Sequence, residues 1–167
     1  KQLESGEVAY KLQGDRTDSC HWAQVLGEKT PSLYREADRT KPNYVYYNKE
    51  NNGWTCDDFR LTDGQSLPIG LDFTAANVTY ERKFNGTQNA TLCLPYDLYA
   101  QGFKAYTLAD RQESRTAVHF KEVNGTLGAY RPYLLVADGT PQLGGENLQV
   151  KADRSSIVLS AGNYYFK

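Results

Sequence analysis

The sequence predicts a mainly β fold: an antiparallel β-sandwich preceded by a short N-terminal helix and a hairpin arm. Three observations lead there. Runs of aromatic and β-branched residues recur at spacings of roughly 8 to 12 residues, as in sandwiches and barrels. Turn formers such as Asn124-Gly125, Asp138-Gly139 and Gly144-Gly145 fall between those runs, where hairpins need them. After Gly70 no stretch holds a helical period over a useful length, Leu98 to Phe103 apart.

In chain order, Ser5 is an acceptable N-cap, Val8, Ala9 and Leu12 share one side of a helix, and Gly14 stops it. Tyr44-Val45-Tyr46-Tyr47 is the first strong strand signal, because such residues suit a pleated, half-buried surface. Asn48 to Gly53 turns the chain, and Trp54 to Leu61 returns as the second strand of a hairpin. Thr62 to Gly70 concentrates turn formers (Asp63-Gly64, Pro68, Gly70) and is the expected boundary between an arm, 1–62, and a sandwich, 70–167. Within the second part, Val78 to Phe84 alternates as a half-buried strand. Ala90 to Leu94 is apolar enough for burial on both faces, and Pro95 ends its hydrogen bonding. Phe103 to Leu108, Ala117 to Val123, Tyr133 to Val136, Leu148 to Val150, Ile157 to Leu159 and Tyr164 to Phe166 complete the set, with Tyr133 to Val136 as a central strand.

Composition narrows the function classes. With 19 Lys+Arg against 20 Asp+Glu the net charge is −1, so no general attraction to nucleic acid or anionic lipid is expected. No apolar run approaches the roughly 18 to 20 residues of a membrane span, so membrane association is expected only through regions outside this chain. The start at Lys1 and the absence of Met read as a processed product, from which a native signal peptide could have been removed before Lys1.

Three cysteines, Cys20, Cys56 and Cys93, match no zinc spacing. Cys93, between Leu92 and Leu94, reads as a buried small hydrophobe, and a Cys20–Cys56 disulfide is the pairing open to the other two. His21 and His119 lack the partners of a triad, and no nucleophile-elbow, zinc-protease, phosphate-loop or dinucleotide motif occurs. Asp57-Asp58 and the pair Asp15 and Asp18 suit solvated turns better than a glycosidase, and although Asp57-Asp58 or Asp63-Gly64 offers the hard oxygen ligands that calcium takes, no twelve-residue EF-hand pattern occurs. The expectation is no catalytic residue, no metal and no cofactor.

Tyrosine, at 13 residues, is the one compositional outlier. Rings on strands mostly pack, but Tyr44, Tyr47 and Trp54 on one hairpin are the residues a ligand-binding platform would use. Four Asn-x-Thr triplets begin at Asn77, Asn85, Asn89 and Asn124, against about one expected by chance. They read as unused sequons, two of them already accounted for as turns.

Two sets of phrases carry a resemblance. The first runs Ser5-Gly6-Glu7-Val8-Ala9-Tyr10, Leu12, Gly14, Trp22-Ala23-Gln24-Val25-Leu26-Gly27, Pro31, Val45-Tyr46-Tyr47 and Trp54-Thr55-Cys56. The second runs Leu61-Thr62-Asp63-Gly64, Phe73-Thr74-Ala75, Val78-Thr79-Tyr80-Glu81-Arg82, Thr91-Leu92-Cys93-Leu94-Pro95-Tyr96-Asp97-Leu98, Phe120-Lys121-Glu122-Val123 and Ala129-Tyr130-Arg131-Pro132-Tyr133-Leu134. Together they resemble a modular region near the C-terminal ends of Bacteroidetes secreted and cell-surface proteins, often downstream of leucine-rich or adhesin-like repeats. The sequence departs from that pattern at Ala23, where an aromatic is common, and at Tyr130, where glycine is more frequent. The resemblance implies an extracellular or outer-surface setting and brings no catalytic residues. The expected function is a non-catalytic structural or adhesive module whose partner is a host or self surface protein or a glycan. The alternative is a carbohydrate-binding module using exposed aromatics.

Overall fold

The structure, a computed structural model, describes residues 21–25, 32–34, 41–48, 50–65, 67–84, 88–110, 117–153 and 155–167, with backbone alone for 21–25, 32–34 and 47. The helix expected over Ser5 to Gly14 lies outside them. Among the described residues the secondary structure is all strand.

The chain divides into two compact units, Lys1–Arg82 with Gly144–Asp153 and Lys83–Leu143 with Arg154–Lys167. The turn-rich stretch from Thr62 to Gly70, expected to separate two domains, falls inside the first unit. A connection between two strands of one sheet needs the same turn formers as a linker, and local sequence does not tell them apart.

The first unit holds a six-stranded sheet. Its strands are β1 (His21–Val25), β2 (Ser32–Tyr34), β3 (Tyr44–Asn48), β4 (Gly53–Thr62), β5 (Phe73–Glu81) and β12 (Gly145–Val150), in the order β12-β5-β4-β3-β1-β2. The expected hairpin forms as β3 and β4, with Val45 opposite Cys56 and Tyr46 opposite Thr55. The sheet is mixed rather than wholly antiparallel, because β4 and β5 run parallel. A tight turn cannot join parallel neighbours, and residues 63–72 supply the crossover. Asp153 secures that crossover: its amide donates to the Ile69 carbonyl at 2.7 Å and its carboxylate accepts the Ile69 amide at 2.8 Å. Asp72 adds a third bond by accepting the Ala152 amide at 2.8 Å.

The core of this sheet includes an irregularity that alternation alone does not predict. Cys56 sits opposite Ala75 and Phe59 opposite Val78, and all four are buried. In regular strands, positions three apart point to opposite faces. Between the two pairs the ladder skips Asp57 and Ala76, and at the same level of β12 it skips Asn147, whose φ is +54°. The Phe59 ring meets Phe73 edge-on at 5.3 Å, and Phe73 shares a face with Ala75. Phe59 and Phe73 therefore share one core.

The second unit holds a four-stranded antiparallel sheet, β6 (Asn89–Leu92), β8 (Phe103–Leu108), β9 (Phe120–Glu122) and β11 (Tyr133–Ala137), in the order β6-β11-β8-β9. Two ribbons accompany it: β7 (Leu98–Tyr99) with β10 (Thr126–Leu127), and β13 (Leu159–Ala161) with β14 (Tyr164–Phe166). As expected, β11 is central. Cys93, expected to be buried, is not. Residues 91 to 94 alternate exposed, buried, exposed, buried, and Cys93 is exposed. An edge strand has its neighbours on one side only, and here β6 also leaves one face open to solvent, so an apolar run does not become buried on both faces.

The expected hairpin turns are corrected too. Asn124-Gly125 joins β9 to β10, which belong to different sheets, and Gly145 opens β12 rather than turning a hairpin. Asp138-Gly139 follows β11, whose neighbours are β6 and β8.

Candidate functional site

The hairpin carrying the expected ring platform is mostly interior. Tyr44 is only 2% exposed, Val45 0% and Tyr46 2%. Tyr44 is thereby removed from a solvent-facing platform, because β3 lies inside the six-stranded sheet, between β4 and β1. Trp54 is half-buried, opposite Tyr47 in the ladder, and the Tyr47 side chain lies outside what the structure describes. Among the described residues the large exposed rings are instead Tyr99, 63% exposed on β7, and Tyr165, 73% exposed on β14. Tyr164-Tyr165-Phe166 signals this through strand alternation, whereas nothing local to Leu98-Tyr99 does.

The adjacent carboxylates are engaged separately. The buried Tyr46 phenol donates to Asp57 at 2.7 Å, while Asp58 accepts from Arg60, with N–O distances of 3.1 and 2.7 Å. Asp58 pushes the Arg60 guanidinium further up. Asp63 accepts from Tyr80 at 3.0 Å and lies 3.6 Å from the Arg82 guanidinium. Burial first, and the Asp63 carboxylate second, push the Tyr80 phenol up. In the other unit Lys121 donates to Asp110 and holds that exposed carboxyl below its usual range. These contacts suit strand surfaces.

His119 is exposed just before β9, and its carbonyl accepts the Ala109 amide at 3.0 Å. The side chain of His21, and Cys20, Asp15 and Asp18, lie outside the described residues. Cys56 carries a free thiol and is fully buried. Desolvation pushes that thiol up to about 12, with backbone hydrogen bonding from Asp58 opposing and the nearby Asp57 charge adding. A thiol held protonated is a poor nucleophile. Among the described residues no group of three His, Cys, Asp or Glu side chains converges as metal ligands, and no helix is long and apolar enough to cross a membrane.

The sequons follow from strand alternation. Asn77 and Thr79 are exposed on either side of buried Val78, and Asn89 and Thr91 are exposed on either side of half-buried Ala90. The Asn77 amide also reaches the Asp57 carbonyl at 3.4 Å.

The densest constellation joins two phrases singled out in the sequence. Leu92 pairs with Tyr133, the Leu94 carbonyl accepts the Tyr130 amide at 2.7 Å, and the Asp97 carboxylate accepts the Ala129 amide at 2.7 Å. The Tyr133 phenol accepts the Gly128 amide at 2.9 Å. The crevice between them is lined by Leu92, Leu94, Tyr96, Leu127, Gly128 and Tyr133 and is too tight to admit water. Tyr130 holds a left-handed backbone, φ +56°, fixed from both sides: its amide donates to Leu94 and its carbonyl accepts the Ile157 amide at 2.7 Å. A non-glycine residue there is uncommon. What the constellation can do chemically is hold two loops together.

A scan against protein-family models and searches of the curated proteins and of the solved structures each found no match to this chain.

Proposed function

We propose that the chain is a non-catalytic structural or adhesive module of an exported bacterial cell-surface protein. The observation that carries this reading is the use made of the two phrases spanning Thr91 to Leu98 and Ala129 to Leu134. Their polar groups are spent on each other, at Leu94–Tyr130 and Asp97–Ala129, and their apolar groups close a crevice without solvent space. Residues recruited to fasten a fold are what a mechanical or display module requires. We propose also that the second unit is an antiparallel sandwich, with the four-stranded sheet and the β7–β10 ribbon as its two layers, a reading supported by the crevice that Leu92 and Tyr133 line together with Leu127.

Protease shaving of intact cells that express the parent protein tests the reading. Release of peptides from this chain without lysis is the expected result; protection until the cells are lysed overturns it.

A carbohydrate-binding role has support in the two exposed rings, Tyr99 and Tyr165. On a glycan array it predicts retention that Tyr99→Ala or Tyr165→Ala abolishes. Absence of retention on every glycan removes it.

A further inference from the structure

We infer that Asn124 is a site of spontaneous deamidation and isoaspartate formation, selected by its place in the fold over the other described Asn-Gly step. The sequence holds Asn-Gly at Asn52, Asn85 and Asn124. Asn85 lies outside the described residues, which leaves two steps to compare.

The reaction needs the main-chain nitrogen after the asparagine to swing onto the asparagine side-chain carbonyl. Loss of the amide proton to base frees the electron pair on Gly125 N, which forms a bond to Asn124 Cγ. The C–N bond of the carboxamide then breaks and ammonia leaves, closing a five-membered succinimide. Water opens that ring at either carbonyl, giving aspartate, or isoaspartate in which the main chain runs through the former side chain. The balance is one water in and one ammonia out, with no oxidant or reductant.

The two sites differ in how freely that nitrogen moves. Asn124 is exposed, in the link from β9 to β10, strands of different sheets. A Cβ built on Gly125 would meet nothing within 4 Å, so the space beside this residue is open, and its φ of +125° is one that glycine adopts readily and other residues rarely do. The strand that follows has two residues, Thr126 opposite Tyr99 and Leu127 opposite Leu98. Asn52 is exposed as well, but Gly53 stands opposite Asn48 as the first pair of the β3–β4 ladder. That turn is braced further by the Glu50 amide donating to the Asn48 side chain at 2.9 Å. Swinging the Gly53 nitrogen out of position would disturb the end of the ladder.

Deamidation at Asn124 adds a negative charge beside a chain of net charge −1. The isoaspartate form also lengthens the main chain just ahead of Leu127, which is 2% exposed.

The test incubates the folded chain at mildly alkaline pH and quantifies aspartate and isoaspartate by peptide mapping, with isoaspartyl methyltransferase labelling as a second readout. A parallel sample is kept in denaturant. Conversion several-fold faster at Asn124 than at Asn52 in the folded chain, with the two rates converging in denaturant, is the expected result. Equal rates in the folded chain, a faster Asn52, or a preference for Asn124 that persists unchanged in denaturant overturns the inference. An Asn124→Gln variant, in which cyclisation at that step is slowed, should lose the methyltransferase signal from that peptide.

Discussion

The phenol of Tyr96 donates to the carbonyl of Leu143 at 2.6 Å, joining positions 47 residues apart within the second unit. Tyr96 is fully buried, and Leu143 is 4% exposed. Replacing Tyr96 by Phe keeps the ring and strands a buried carbonyl, so a loss of about 1–3 kcal/mol in unfolding free energy is expected. Urea unfolding of the two proteins measures it; a change within experimental scatter would mean that the carbonyl has another donor.

Neighbouring glycines should respond very differently to alanine. A Cβ on Gly144 would lie 2.1 Å from the Val78 carbonyl oxygen, backbone that cannot step aside without moving β5. On Gly145 the nearest atom would be Leu148 Cδ1 at 3.6 Å, an ordinary contact. Gly144→Ala is expected to destabilise by about 1–3 kcal/mol or more, and Gly145→Ala by no more than about 0.5 kcal/mol. Thermal unfolding of both variants checks the contrast.

At Tyr130 the comparison runs between two truncations. Both Tyr130→Ala and Tyr130→Gly lose the contacts of the ring, but only alanine keeps a Cβ in the left-handed conformation. Tyr130→Gly should be the more stable of the two by about 1 kcal/mol, the cost of that conformation less the greater chain entropy of glycine. Equal stabilities would indicate that the loop relaxes out of the left-handed region once the ring is gone.

Alkaline pH should weaken the fold through Cys56. Its thiol rises from the ordinary 9.0 to about 12 in the folded chain, so the unfolded chain loses the proton first. The contribution is constant below pH 9 and is lost between pH 9 and about 12, with a slope of about 1.4 kcal/mol per pH unit. Tyrosines and lysines titrate in the same range, so the measurement is the difference between the parent chain and Cys56→Ala. That difference should shrink as pH rises across the window.

Thiol accessibility separates the same cysteine from Cys93. After reduction, maleimide should label exposed Cys93 in the folded chain and reach buried Cys56 only in denaturant. Peptide mapping after timed labelling reads both. Rapid labelling of Cys56 under native conditions would contradict its burial.

By itself the sequence determined the mainly β content, the β3–β4 hairpin and the central place of the strand at Tyr133 to Val136. These follow from period-two alternation and from residues that favour turns, both of which act within a few positions of the chain. Strand partners at long range are not written in that code. Nothing local to Phe73 says that it starts a strand parallel to β4, or that Gly145–Val150 returns to pair with β5 beyond the whole of residues 83–143. Burial of Tyr44 and exposure of Cys93 likewise depended on neighbours, since a central strand is covered from both sides and an edge strand is not. The candidate site shifted for the same reason: tyrosines alike in sequence were sorted into core or surface by which strand they occupied. Only the tertiary structure brought Leu94 to Tyr130 and Asp97 to Ala129, because those hydrogen bonds form when the fold has already closed the distance between two loops.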